Sequence, residues 1–426
     1  MADKKILIVG ASVAGPMAAF WLAKTGADIT VVERHEAMRD GGQNVDIRTS
    51  GVTVVQKVPE MEARIRAAAA PLEGMSVLSS KGQSILTIKS TGDPKQQSLM
   101  SEYEIFRDDL SKILFDFAKD LLNVRYVFGE QAKSMTQDEK GVDVEFLNGH
   151  LPQSRYDLVV AADGATSRTR ALAFDCKVRD HMSSMNAWAA YSTIKKDLLN
   201  TSKTGQLTTS TPGRGIILLP DHDSKQNRVL LMGSHGSDET SIMHLFRQAV
   251  KGGDRALKDF LGDFFHGHGR DDILTAVEQS NKLYASEAAQ VKAPSLYKGR
   301  IVLFGDAGYA AGPVGTGTSL AITGAYVLAG EINSHPDDLS TALQNYSERM
   351  RPIIQDMQQI PPGFPGIMTP QTAWGLSVRN AVLRIISYMM LASEYWPVAA
   401  PLGWLVGLYA SAFGKDKYSI PYYAFE

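Results

Sequence analysis

Three short glycine-bearing segments, far apart in the chain, carry residues able to hold a dinucleotide. The first is Gly10-Ala11-Ser12-Val13-Ala14-Gly15, directly after the apolar run Ile6-Leu7-Ile8-Val9, with Glu33 closing a second apolar run, Ile29-Thr30-Val31-Val32. Gly10 permits a tight turn and Gly15 a close approach of helix to strand. A pyrophosphate can then sit on backbone N–H groups at the positive end of the helix dipole. Ser12 stands where a middle glycine is usual. Glu33 follows Gly10 at the distance where a carboxylate accepts from adenosine ribose hydroxyls, and its charge disfavours a 2′-phosphate there. The second segment, Asp163-Gly164 through Arg170, follows Leu158-Val159-Val160-Ala161-Ala162. The third, Gly305-Asp306-Ala307, follows Ile301-Val302-Leu303-Phe304 and leads to Pro313-Val314-Gly315-Thr316-Gly317. Asp306 can bond ribityl hydroxyls, and the loop Pro313–Gly317 can bring N–H groups to a flavin carbonyl. Arg107, opening a helix, can reach a phosphate or ribose oxygen. Three such turns in this order point to FAD.

The elements that must position these residues are legible in outline. Residues 5 to 33 read as strand, turn, helix and strand, the unit that binds dinucleotides. Residues 104 to 122 read as a helix begun near Arg107, and Val124 to Leu158 as short alternating strands. From 179 to 282, runs such as Trp188–Ile194, Gly215–Leu219 and Arg228–Met232 read as strands separated by turns. Strand signals return at Gly299–Phe304. A long helix follows Gly317, and another spans about Asp337 to Gln359. The expected architecture is α/β: a Rossmann-like FAD-binding domain of the glutathione-reductase type, an inserted β-rich substrate domain, and C-terminal helices. The FAD-binding domain takes residues 1–78, 104–178 and 283–365; the substrate domain 79–103 and 179–282; the helical extension 366–426.

Bulk properties narrow the classes. A chain of 426 residues with 44% hydrophobic and 21% charged residues is long enough for two domains and is not compositionally disordered. A net charge of −2 gives no reason to expect nucleic acid. A single cysteine, Cys176, excludes an internal disulfide framework and a cysteine-based zinc site, and no metal is expected. The first apolar run is too short for a signal-peptide core, so a cytoplasmic location is expected. The apolar stretch Leu383 to Phe413 contains Arg384, Glu394, Pro397 and Pro401, and lacks the run of a spanning helix. Helices packed on the body are expected there, with shallow membrane contact or a subunit interface as the alternative. Monomer and homodimer both remain open.

With these residues in place, the chain resembles the single-component FAD-dependent aromatic hydroxylases (group A flavoprotein monooxygenases), in the branch containing the tetracycline-inactivating monooxygenases. The resemblance runs from residue 5 to about 365. It rests on Gly10 to Gly15 with Glu33, Gly41-Gly42-Gln43-Asn44-Val45-Asp46-Ile47-Arg48, Arg107-Asp108-Asp109-Leu110, Asp163-Gly164 to Arg170, and Gly305-Asp306 to Gly317. Lesser matches are Tyr346 with Arg351-Pro352, and Ile420-Pro421-Tyr422-Tyr423. It implies that Glu33 binds adenosine ribose, that Asp46 and Arg107 touch FAD, that Asp306 holds the ribityl chain, and that Asp163-Gly164 lies near the pyrophosphate. Arg34 and Arg39 join the cofactor-binding set, Arg39 as a guide for NADPH. Two departures stand out. Gly308-Tyr309 replaces a usual alanine-histidine, and Thr323-Gly324 replaces a common acidic residue; both are expected near the flavin ring.

The implied reaction uses transient NADPH, or NADH, to reduce FAD. O2 then delivers one oxygen atom by hydroxylation, epoxidation or Baeyer–Villiger insertion. The expected substrate is bulky and aromatic or polyketide-like, lined by Met185, Trp188, Leu218 and Met232 near Pro361-Pro362-Gly363-Phe364. No catalytic acid or base is identified; His222, Tyr191 and Arg214 are the polar residues of the insert that could face a substrate. The alternatives are an FAD oxidase, a reductase or a halogenase-like enzyme, and, from another class, a non-catalytic flavin-binding protein. The halogenase element Trp-x-Trp-x-Ile-Pro is absent from the sequence.

Overall fold

A computed structural model describes residues 4–39, 41–89, 103–236, 240–313, 315–360, 364–395 and 418–425. Its centre is a six-stranded sheet in the order Tyr297–Lys298, Ile301–Leu303, Leu158–Ala161, Lys5–Val9, Asp28–Glu33 and Val124–Phe128. All neighbours pair in parallel except the first, short strand. Parallel strands need covering on both faces, which explains their unbroken apolar runs. Alternation along Lys5–Val9 divides them. Ile6 and Ile8 join the core beneath helices Ala14–Ala23, Arg107–Lys119, Gly317–Ser334 and Leu339–Met357. Leu7 and Val9 face the opposite layer, a small antiparallel sheet of Ala132–Gln137, Val142–Phe146 and Ser154–Tyr156. The helix Ala14–Ala23 is buried on all sides, as a helix apolar all round must be.

A seven-stranded sheet forms the second body, in the order Leu283–Val291, Met182–Ile194, Asn227–Ser234, Arg214–Pro220, Thr204–Ser210, Gly74–Leu78 and Ser84–Lys89. Two of these strands, Gly74–Leu78 and Leu283–Val291, lie on the nucleotide-binding side of the boundaries read from the sequence. Tyr284 pairs with Tyr191, and Gly74 with Thr204, so both join this sheet. Residues 90–102, expected in the substrate domain, lie outside the described residues.

Between the last strands of the insert come three helices that the strand-dominated reading did not expect: Thr240–Lys251, Asp254–Phe265 and Asp271–Glu278. Leu257, Leu261 and Phe265 recur at intervals of four and are buried, and Ile273 and Val277 repeat the interval. They cover one face of the sheet, where Trp188, Ala190, Ile216, Leu218, Val229 and Leu231 meet Phe246 and Phe265. At the C-terminal end, Ala373–Tyr395 is a helix packed against the edge strand Ser84–Lys89. Arg379 anchors it, donating to Thr209 Oγ1 at 2.8 Å. Among the described residues no helix is long and apolar enough to cross a membrane. The expectation for 396–413 falls outside the described residues.

The last described segment, Tyr418–Phe425, docks back onto the first body. Phe425 packs on Trp21 at 5.1 Å between ring centroids, and the Tyr423 hydroxyl donates to buried Glu331 at 2.5 Å. Gly330 permits this, because a Cβ there would lie 2.1 Å from the Tyr423 ring.

Candidate functional site: a dinucleotide cleft beside an apolar sheet face

The first turn is dictated by sterics. Gly10 has φ +110°, and a Cβ on it would lie 2.5 Å from Ala162 O; one on Gly15 would lie 1.8 Å from Gly10 O. No other residue keeps both the turn and the strand-to-helix approach. Val13 and Ala14 start the helix, leaving its first N–H groups at the turn. Ser12 does more than replace a glycine: its hydroxyl accepts from Arg107 Nη2 at 2.7 Å, tying the turn to the start of Arg107–Lys119. Glu33 accepts from Ala11 N (2.9 Å) and His35 N (3.1 Å), so its carboxylate is held at the end of its strand.

These groups border an open cleft of about 370 Å³, lined among others by Ala11, Ser12, Glu33, Arg39, Arg107 and Asp108. Arg34 is exposed, outside that lining, with Nε 3.3 Å from His35; His35 lines the cleft instead. Arg39 sits 4.5 Å above the Tyr284 ring, and Arg107 is 5.8 Å from it. The side chain of Tyr191 stacks on Tyr284 at 6.0 Å. A second space of about 190 Å³, lined by Gly41, Gly42, Tyr191, Lys282 and Tyr284, adjoins the first through Gly41. Crowding alone would raise the Tyr284 phenol, but Arg107 and Arg39 outweigh it and hold its pKa below the usual value.

Asp46 lies on Asn44–Asp46, which pairs antiparallel with Glu104–Phe106. It forms an ion pair with Arg48 and stands opposite Glu104, to which Asn44 donates. Desolvation, then the Asp46 charge, push the Glu104 carboxyl up to about 8 despite Arg48. Sequence reasoning missed Glu104, because residues 104–106 read together with the helix that follows, whereas they form a short strand before it. Asp108 links the two bodies: it accepts from Gly41 N at 3.0 Å and pairs with Arg228 of the seven-stranded sheet at 3.2 Å.

The second and third segments meet through a residue whose role the sequence did not disclose. Asp163 turns its carboxylate onto the helix Arg168–Phe174, accepting from Thr169 N and Thr169 Oγ1, each at 3.0 Å, and from Ser167 Oγ. Gly164 is left-handed, φ +82°, and open on its Cβ side. Fully buried Arg170 donates to Ala165 O (2.8 Å) and Val178 O (2.7 Å) through Nη2, and to Ala307 O (2.6 Å) through Nη1. One guanidinium thus clamps the Asp163 turn to the Asp306 turn. Asp306 keeps solvent exposure but is flanked by protein. That crowding raises its pKa, and Arg107 opposes the shift. A Cβ on Gly317 would lie 3.3 Å from Asp306 Oδ1, which places the carboxylate at the start of Gly317–Ser334. Pro313 and Gly315 are exposed, Thr316 bonds Met357 O at 2.9 Å, and Val314 lies outside the described residues.

The sheet's cleft side corrects the expected lining. Side chains alternate, and Tyr191, Leu230 and Ile217 form one cross-strand row, with Ala189 and Met232 in the next. Arg228, in register on the same face, reaches Asp108, so this face looks toward the cleft. Met232 belongs to it, and Met185 lies beside the Pro313 loop, with Sδ 3.0 Å from where a Gly312 Cβ would stand. Trp188 and Leu218 are buried on the opposite face under the helices. Arg214 also leaves the cleft, bonding His266 O at 2.9 Å. His222 stays near its rim, 3.6 Å from Asp109.

The two departures compensate each other inside the core. Tyr309 is buried, its hydroxyl 3.1 Å from that of Tyr346, and a Cβ on Gly324 would lie 2.5 Å from the Tyr309 hydroxyl. The missing side chain at 324 makes room for the tyrosine at 309, and neither faces the cleft.

The residues present fit FAD. Gly10 and Gly15 keep the first turn free of side chains, Glu33 stands at strand end, and Asp306 faces a glycine-opened helix N-terminus. The comparisons agree. Residues 3–360 match the family described as FAD binding domain. Monooxygenase CTB7 of Cercospora beticola is 32% identical over 393 residues, 91% of this chain and 93% of that protein. FAD-dependent monooxygenase asL6 of Sarocladium schorii is 31% identical over 408 residues, with the same coverage of each. The crystal structure of tetracycline destructase Tet(51) superposes with a TM-score of 0.70 at 27% identity, covering 91% of this chain and 98% of that one. The chain therefore belongs to the FAD-binding-domain family and is an FAD-dependent monooxygenase.

Proposed function

We propose that this chain uses NADPH and O2 to insert one oxygen atom into a bulky aromatic or polyketide-like molecule bound between the nucleotide cleft and the seven-stranded sheet. The observation that carries this reading is the cleft side of that sheet. There Ile217, Leu230 and Met232 keep partial exposure beside the stacked Tyr191–Tyr284 pair, while their neighbours Ile216, Leu218 and Leu231 are buried under helices. A flat, apolar, aromatic-edged wall suits a fused-ring ligand. A neighbour named as a tetracycline destructase supports the same substrate class.

The chemistry FAD supplies when bound is acceptance of hydride from NADPH and activation of O2. The chain's residues bind, orient and shield. The turn Gly10 to Gly15 receives the pyrophosphate on backbone N–H groups, with Asp163-Gly164 alongside. Glu33 accepts from the adenosine ribose, Asp306 from the ribityl hydroxyls, and Arg107 with Asp46 steadies the cofactor between them. The loop Pro313, Gly315, Thr316 and Gly317 offers N–H groups to the ring. Arg39, raised on Tyr284 at the cleft mouth, meets the negatively charged NADPH. The sheet face excludes water from the reacting edge.

The test is turnover of a fused-ring polyketide panel with NADPH under isotopically heavy dioxygen. A product carrying one heavy oxygen, with NADPH consumed in step, is expected. NADPH oxidation that yields only hydrogen peroxide across the panel would move the chain to the oxidase reading.

A further inference from the structure

The helix Ala373–Tyr395 has two faces of different kinds. Its inner side is fixed: Arg379 is buried and bonded to Thr209, and the preceding Thr369 hydroxyl lies 2.6 Å from that of Ser234. Its outer side carries Trp374, Val378, Val382, Ile385, Tyr388 and Leu391, at intervals of three and four, which makes a stripe about 25 Å long. Every one is exposed, Trp374 by 77% and Tyr388 by 72%. No charged residue lies within the stripe; Arg384, also exposed, borders it.

We propose that this face docks on a lipid bilayer surface, lying in the headgroup region without crossing it. A surface of this size and character is rare on a protein that stays in water. Its composition is that of an interfacial helix: aromatic residues with polar tips, aliphatic residues between them, and a bordering arginine able to extend toward headgroups. The chain beyond it argues for lipid over a small partner. Residues 396–414 follow without a single charge, include Trp396, Trp404, Tyr409 and Phe413, and end at Lys415-Asp416-Lys417. Apolar surface and uncharged sequence thus continue one another. The anchors through Arg379 and Thr369 place the docking face on the same support as the substrate-facing sheet, so an apolar substrate dissolved in the bilayer would be met at its source.

The test is flotation of the full-length, FAD-loaded chain with phosphatidylcholine vesicles. The wild type is expected to float. Trp374→Ser/Ile385→Ser/Tyr388→Ser is expected to lose at least about tenfold in partition, because binding scales with the apolar area inserted. Its flavin spectrum and elution volume should not change. If the triple variant does not fold, Trp374→Phe replaces it. Brominated phosphatidylcholine should then quench a component of wild-type tryptophan fluorescence that the variant lacks. A wild type that stays at the bottom at high lipid, or a variant that floats equally, overturns the proposal. So does a wild-type dimer that the triple variant makes monomeric while neither floats, since a second copy would then be the occupant.

Discussion

Arg170 offers the sharpest test of how the cleft is built. Its guanidinium is fully buried with no carboxylate bonded to it, and its hydrogen bonds run to Ala165 O, Val178 O and Ala307 O. Hydrogen bonds from a charged donor are worth roughly 1.5–3 kcal/mol each, so three give a gross loss of about 5–9 kcal/mol. Against this, Arg170→Met removes a buried charge whose desolvation disfavours the folded state, as its lowered pKa records. The net expectation is a destabilisation of about 3–5 kcal/mol, most of it from carbonyls left without donors. Arg170→Lys keeps the charge, but one ammonium cannot serve carbonyls reached by two separate nitrogens. About 2 kcal/mol should be lost there. The assay is urea unfolding at fixed FAD concentration, followed by tryptophan fluorescence, with FAD affinity titrated separately. Because Ala307 adjoins Asp306, FAD affinity should also fall by at least about tenfold for the methionine variant. A loss below about 1 kcal/mol with wild-type FAD affinity would refute the clamp.

Three further outcomes are expected. Gly324→Ala should cost about 1–3 kcal/mol by overpacking against the Tyr309 hydroxyl, and Tyr309→Phe should recover part of that loss; additive costs in a double-mutant cycle would contradict the fitted pair. Glu104 holds its proton in the folded chain up to about pH 8, against an ordinary value of 4.5. The folded state therefore binds the extra proton between those values, and stability falls as pH rises through that window. Glu104→Gln should flatten this limb, and parallel wild-type and variant stability curves from pH 5 to 8.5 would exclude it. Gly330→Ala should displace Tyr418–Phe425 from its seat and cost about 2–4 kcal/mol, read as faster proteolysis near Tyr422 and Tyr423.

What the sequence disclosed follows from the range of the forces involved. The turn at Gly10 to Gly15, the buried parallel strands and the long helices after Gly317 and Leu339 are local patterns, and each stands where spacing placed it. Residues whose meaning depends on distant partners stayed hidden. Arg170 entered the sequence reading only as the end of the Asp163-Gly164 segment, because its partner Ala307 is remote in sequence. Tyr309 and Gly324 looked like two departures and prove to be one packing event. Trp188 and Leu218 were expected at the ligand and lie across the sheet from it, because a period of two fixes relative facing but not which face meets the cleft. The helices of the insert were legible through Leu257, Leu261 and Phe265, but the flanking strand signals masked them.

The strand order carries a consequence for how the molecule is made. Leu158–Ala161 finds its outer neighbour, Ile301–Leu303, only after about 140 further residues, and those residues build most of the other sheet. At roughly 5–20 residues per second, a ribosome needs about 7–28 s to deliver that partner. During this interval the edge of Leu158–Ala161 is unpaired, and Arg170 has no Ala307 to hold. The nascent chain thus spends seconds with an open, apolar, hydrogen-bonding edge. Holding by a chaperone during synthesis matters most in that interval, and slowed translation across residues 162–300 should lower the yield of folded protein.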